Sequence, residues 1–313
     1  MPFPSTRFSK TPIPADGIDG GVPGELTRAA IAAQPQWLAG VHERVGDRRL
    51  PAGARVLFTG CGTSYHAARA CGTAAQALDV VAGAAPEADV LVAISHEGET
   101  TLTGEAVAGF AGETWLITGV AESPIGRLAD TVVVATPEVE RSYCHTASYA
   151  CAVAAGRALL GEDVSSLPSL VERALAAPPL STSDGERFLV TAAGIDYATA
   201  LEAALKLREG AHVAAEAHQT EQLLHGHLAA VDASVRCFLL DGPGRVGDRA
   251  RDAAAALTEL GCEWTILPTA HPVADIVPFQ RLAVDLAERR GVDPDLIRWD
   301  EDPWDRARRA HGF

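Results

Sequence analysis

The sequence predicts an α/β protein with two parallel sheets, each covered by helices on both faces, and three observations carry that expectation. Short apolar runs of strand length alternate with Ala-rich helical stretches, which sets strands side by side in parallel with crossover helices between them. A Pro- and Ser-rich interruption over residues 162–185 divides this alternation into two series. Loops bearing Gly, Ser and Thr directly follow the first two strands, at the end of the sheet where open α/β folds bind ligands.

Taken in order, residues 1–24 are rich in Pro, Gly and Ser and read as an extended arm, and an amphipathic helix follows over 25–43. Residues 55–59 form a buried strand, 60–62 a turn and 64–78 an Ala-rich helix. A second strand over 89–94 runs into residues 95–98 and a helix from 99 to 109. Strands at 113–118 and 130–135 and a helix over 144–160 complete the first series. Beyond the crossing, the strand at 187–191 leads through Gly194 into a helix near 197–210. Strands at 235–240 and 263–267 then flank a helix near 249–260, and a last helix covers 277–290.

Composition narrows the function classes. A chain of 313 residues that is 47% hydrophobic and 21% charged has globular statistics and room for two domains. Its net charge of −15 repels a phosphate backbone, so nucleic acid is not an expected partner. The first residues lack a charged-then-apolar leader and no apolar run is long enough to span a bilayer, so no membrane partner and a cytoplasmic location are expected. Six cysteines without a CxxC pair suggest neither a disulfide scaffold nor a zinc knuckle. Of 26 basic residues only Lys10 and Lys206 are lysines. A lysine kept where the chain otherwise writes Arg invites a chemical reason, because its ammonium can shift its pKa.

Two loops and one helix could carry chemistry. In Gly60-Cys61-Gly62-Thr63-Ser64 the amides of a helix start and two hydroxyls can hold an oxyanion, or Ser64 simply caps the helix. Ser95-His96-Glu97-Gly98-Glu99-Thr100 repeats the arrangement, so both loops would face one crevice. Lys206 and Glu209 lie one helical turn apart, where Lys206 could hold Glu209 ready as a general base or form an ordinary surface pair. His225 reads as an acid/base or as a core histidine bonded to a carbonyl.

The motifs at 61–64, 94–100, 203–209 and 215–226, in this order and spacing, resemble the sugar isomerase (SIS) domain family over about residues 25–308. The resemblance implies two tandem SIS domains of flavodoxin-like, three-layer α/β/α form, at 25–165 and 180–313, the second ending in a segment that closes over the ligand. It implies a small-molecule partner, a hexose or hexosamine phosphate, with Cys61, Gly62, Thr63 and Ser64 along the sugar. Ser95, His96, Glu97, Gly98 and Thr100 would surround the phosphate, and the turn containing His145 and Thr146 would face the ligand. Glu209 would move a proton between C1 and C2 with Lys206 beside it. His225 would assist ring opening from the partner subunit of a homodimer. The implied activity is phosphosugar isomerase or amino-sugar deaminase chemistry, which requires no metal or organic cofactor.

The chain departs from the family pattern at three places. No amidotransferase half accompanies the motifs, so glutamine-fed synthesis is not expected. Arg308 stands where some members place a Schiff-base lysine, and an Arg cannot form that bond but can clamp an anion. Glu97 occupies a serine position of the phosphate loop, which fits an outward-turned side chain, a ligand without phosphate or with an amine, or a loop that no longer binds sugar. His96, Glu97 and His145 could also form a mixed metal site. The alternative function is a non-catalytic sugar-phosphate sensor, or an SIS enzyme for an unphosphorylated sugar derivative.

Overall fold

The computed structural model describes residues 21–182 and 187–310, so most of the expected N-terminal arm (1–20) lies outside the described residues. The first half comprises α1 (Glu25–Ala39), α2 (Val41–Val45), β1 (Val56–Gly60), α3 (Thr63–Cys71), β2 (Ala74–Gln76), α4 (Ala77–Val81), β3 (Val90–Ile94), α5 (Thr101–Gly109), β4 (Glu113–Thr118), β5 (Thr131–Val134), α6 (Ala147–Leu159) and α7 (Leu167–Ala176). The second half comprises β6 (Arg187–Ala192), α8 (Asp196–Ala211), β7 (Ala214–Gln219), α9 (Thr220–Leu224), β8 (Val235–Asp241), α10 (Arg245–Glu259), β9 (Glu263–Pro268), α11 (Pro272–Asp275), α12 (Val277–Arg290) and α13 (Asp302–Ala310).

All strand pairs are parallel, in the orders β2-β1-β3-β4-β5 and β7-β6-β8-β9. Both orders reverse direction after the first strand of the series, which opens a crevice at the C-terminal ends of β1 and β3 and of β6 and β8. The middle strands are apolar throughout, as two covered faces require: β3 is buried at every position. The two halves share a core, since one cluster joins Trp37, Phe58, Val92 and Tyr149 to Phe188, Phe238 and Phe279. Helix α6 is buried almost all round, and α8 of the second half packs on α3 of the first. No described helix is long and apolar enough to cross a membrane.

Three expectations need correction. The helix expected over 64–78 stops at Cys71, because Gly72 turns the chain into the edge strand β2, whose Ala74 pairs with Phe58. Pairing with β1 overrides the helical preference of Ala-Ala-Gln there. The interruption at 162–185 contains α7, with Pro168 in its first turn where a missing N–H costs nothing. A strand not foreseen, β7, forms one edge of the second sheet despite its Ala-, Glu- and His-containing sequence.

Candidate functional site

The site lies where the first sheet reverses. Gly60 ends β1 so close to β3 that a Cβ would sit 2.8 Å from the Ser64 carbonyl carbon and 3.0 Å from the Ile94 oxygen, so only glycine lets the two loops meet. Helix α3 begins at Thr63 behind Gly62, whose φ of 56° favours glycine, and Ser64 is therefore not the cap. Gly98 turns the second loop at φ 68°, packed so that a Cβ would meet Ser123 Oγ at 2.0 Å. The Ser95 and Thr100 hydroxyls at the start of α5 approach to 3.4 Å.

Helix α8, held against α3, brings its charged face to these loops. Lys206 is fully buried, with Nζ 2.7 Å from Glu209 Oε2 and 3.4 Å from Glu202 Oε1, and it donates to the Cys144 carbonyl at 3.0 Å. Glu202 also accepts from Thr63 Oγ1 at 3.2 Å and meets His66 Nδ1 at 2.7 Å, which ties α8 to the first loop. Burial opposes the Lys206 charge, but Glu202 and Glu209 together push its pKa up. Burial likewise opposes ionisation of Glu202, yet Lys206 and His66 hold its carboxyl below the usual range. For Glu209 burial wins over the pull of Lys206, whose single charge serves two carboxylates, so its proton affinity is raised.

Behind the second loop, Glu140 is buried and caps α6, accepting from the amides of Thr146 (2.7 Å), Ala147 (3.3 Å) and Ser148 (2.8 Å) and from the Thr146 hydroxyl (2.9 Å). The Glu140 amide donates to His96 Nε2 at 2.9 Å, which leaves the His96 proton on Nδ1. His96 meets His145 edge-on with ring centroids 5.3 Å apart. Burial lowers the pKa of both imidazoles, to about 4 for His145, where it outweighs the opposing pull of Glu140.

The C-terminal segment completes the enclosure. Arg298 Nε donates to His212 Nδ1 at 2.9 Å, so the His212 proton sits on Nε2. The Arg298 guanidinium lies 3.9 Å from the Trp304 ring centre and that of Arg308 4.4 Å from Trp299. Trp299 in turn packs on Tyr143, and Arg308 Nη2 donates to the Ile297 carbonyl.

These pieces surround a cavity of about 900 Å³. Among the expected residues, Cys61, Gly62, Thr63, Ser64, Ser95, His96, Glu97, Thr100, His145, Glu209 and Arg308 line it. Gly98 and Thr146 support the walls from behind, and Lys206 lies buried beneath Glu209. His225 is apart from this cavity: its side chain is 71% exposed and meets Glu221 at 2.8 Å. Among the described residues no group of three or more His, Cys, Asp or Glu side chains is placed to hold a metal ion, so His96, Glu97 and His145 do not converge as one. Sequence reasoning missed Glu202, His66, His212, Tyr143 and Trp299. The first was in reach, since Glu202 stands four residues before Lys206 on the same helix face. Four buried atoms of residues that line the cavity, Thr136 Oγ1, Tyr149 OH, His212 Nε2 and Arg308 Nη1, have no hydrogen-bond partner among the described residues.

A family model for the SIS domain matches residues 182–292. The chain is 29% identical over 314 aligned positions to glutamine–fructose-6-phosphate aminotransferase (isomerizing) of Methanothermobacter thermautotrophicus, covering 83% of this chain and 52% of that protein. It thus spans about half the length of that curated relative. In three dimensions it is similar to the C-terminal domain of glucosamine-fructose-6-phosphate aminotransferase from Francisella tularensis, with a TM-score of 0.74 at 20% identity over 86% of this chain and 97% of that one. It is also similar to glucosamine-6-phosphate deaminase from Thermotoga maritima, with a TM-score of 0.68 at 21% identity over 87% and 97%. Residues 182–292 thus match the SIS domain, and the chain as a whole resembles the isomerizing fructose-6-phosphate aminotransferases in sequence and, in fold, the isomerase domain of those enzymes and glucosamine-6-phosphate deaminase.

Proposed function

We propose that this protein is an enzyme that transfers a proton between C1 and C2 of an open-chain sugar derivative, with Glu209 as the general base. The observation that carries this reading is the Glu209 carboxylate itself. It faces the cavity between the two hydroxyl-bearing loops, and burial raises its proton affinity while Lys206 holds it in place at 2.7 Å. Abstraction at C2 of an aldose breaks the C–H bond and moves its electron pair into a C1–C2 double bond. The C1 carbonyl oxygen gains charge and takes up a proton, the C2 hydroxyl gives up its own, and return of the carbon-bound proton to C1 leaves the C2 carbonyl of the ketose. His212 and Arg308 belong to the residues lining the cavity, and their Nε2–H and Nη1 donors, without a partner among the described residues, would be suited to the developing oxyanion. Thr63 and Ser64 hold the sugar hydroxyls, and Glu202 keeps Lys206 charged from below. With an amino group at C2, the same proton shuttle sets up amine release instead of simple isomerisation.

His225, exposed on its own subunit, fits a role in ring opening at a neighbouring cavity and hence a homodimer. The test is solvent deuterium exchange into C2 of candidate hexoses, hexosamines and their phosphates. Exchange is expected with at least one, with an acid limb above the ordinary carboxylate range because Glu209 must be deprotonated to act. Binding without exchange at any pH would favour a sensor over an enzyme.

A further inference from the structure

A buried chain of hydrogen bonds begins outside the cavity and ends at Glu209. The carboxylate of Asp295, in the segment between α12 and α13, accepts from the Leu26 amide at 3.0 Å, the Thr27 amide at 2.7 Å and the Thr27 hydroxyl at 2.5 Å. Thr27 Oγ1 lies 2.7 Å from Ser142 Oγ, to which the Cys144 amide donates at 3.1 Å. The Cys144 carbonyl accepts from Lys206 Nζ at 3.0 Å, and Lys206 reaches Glu209 at 2.7 Å. Because the Thr27 hydrogen goes to Asp295, Ser142 must donate to Thr27, and every bond from the Cys144 amide to Asp295 points the same way. We propose, resting on the assignment of Glu209 as general base, that Asp295, Thr27 and Ser142 are positioning residues for that base. They fix the 142–144 turn whose Cys144 carbonyl holds Lys206, and so tie the placing of Glu209 to the docking of the C-terminal segment.

An ammonium has three donors, and buried Lys206 has an acceptor for each in Glu202, Glu209 and the Cys144 carbonyl. A displaced carbonyl therefore leaves one donor unpaired or draws Nζ away from Glu209. The 142–144 turn lies between β5 and α6, outside both, so no ladder or helix of its own holds that carbonyl in place. Asp295 holds it twice, through the Thr27–Ser142 chain and through its own carbonyl, which accepts from the Tyr143 amide at 3.0 Å. Packing makes the same link without hydrogen bonds. A Cβ on Gly210, the residue after Glu209, would meet Pro294 Cβ at 3.5 Å and Cys144 Sγ at 3.6 Å, so the segment and the turn press on α8 together. Thr27, Ser142, Cys144, Lys206 and Asp295 are all buried, where water does not replace a lost member. Asp295, Thr27 and Ser142 are not among the residues lining the cavity, so their effect falls on the base and not on ligand contacts.

The test uses the scarcity of lysine. Only Lys10 and Lys206 are present, so protein grown on nitrogen-labelled lysine gives the Lys206 ammonium its own resonance, with Lys10→Arg to assign it. Thr27→Val and Ser142→Ala are each expected to shift that resonance and to lower deuterium exchange at C2 by about tenfold, the scale of one buried hydrogen bond, with ligand affinity within about twofold of wild type. Thr27→Ser keeps the hydroxyl and should restore both readings. Glu288→Gln breaks the exposed pair between Arg28 and Glu288 beside the same helix start and should move neither. A Lys206 resonance left in place by Thr27→Val and Ser142→Ala, or exchange at the wild-type rate in both, overturns the inference and leaves Glu209 as the base. Absence of exchange in the wild type with every hexose, hexosamine or phosphate that binds overturns the base assignment and the inference with it.

Discussion

The two halves of the molecule share a topology and differ in what they do with it. In each, the strand order reverses after the first strand and leaves a crevice at the C-terminal edge of the sheet. At β1 and β3 that crevice opens into the ligand cavity. At β6 and β8 the loops are drawn together by the chain's own groups. Asp196 Oδ2 accepts from Thr269 Oγ1 at 2.9 Å and crowds Gly242, where a Cβ would lie 3.0 Å from the same oxygen. Asp275 accepts from the Ala270 amide through both oxygens at 3.0 Å. The second half contributes instead through α8, which leaves its sheet to place Glu202, Lys206 and Glu209 against the first half's loops. Strand order creates the opportunity for a site, and the side chains at the loop ends decide whether it is used.

Three substitutions sharpen this contrast. The largest effect is expected from Lys206→Met, which leaves the buried Glu202 carboxylate without its cation. Removing one partner of such a network costs about 3–5 kcal/mol, read as a lower denaturant midpoint. An unchanged midpoint would mean that the buried Glu202 carboxylate does not depend on Lys206 for its compensation. Next is Gly98→Ala, where the left-handed φ of 68° and the 2.0 Å approach to Ser123 Oγ together lower stability by about 1–3 kcal/mol. The smallest concerns the unused crevice. Burial, with Asp196 adding to it, pushes the Asp275 carboxyl from 3.8 up to about 7. A carboxyl with a raised folded-state pKa binds its proton better folded than unfolded, so its contribution to stability falls as pH rises between those values. Asp275→Asn should therefore gain about 1–2 kcal/mol on the wild type between pH 5 and pH 8. A gap that shrinks over that range would contradict the buried carboxyl.

The strands β1, β3, β4, β6, β8 and β9 were legible because each is a short apolar run between helical stretches, and parallel order followed from the alternation. The edge strands β2 and β7 were not, because Ala-Ala-Gln and Ala-Ala-Glu-Ala-His-Gln carry no strand preference of their own and are set by pairing with β1 and β6. Within the site, the two loops and Glu209 stood out as motifs after strands and on one helix face. Glu140 and His212 did not. The cap that Glu140 makes spans an irregular turn, and the His212 bond to Arg298 crosses 86 positions, so neither leaves a local pattern. Glu97, read from sequence as a misfit in its loop, lines the cavity beside Tyr143.

The central claim is that Glu209 removes the proton, and Glu209→Gln tests it most directly, assayed by deuterium exchange at C2 alongside ligand affinity for whichever sugar binds the wild type. The amide keeps the shape and a bond to Lys206 but cannot accept the proton, so exchange should fall by roughly 10²–10⁴-fold while affinity stays within about threefold. Exchange at the wild-type rate in that variant would place the base elsewhere.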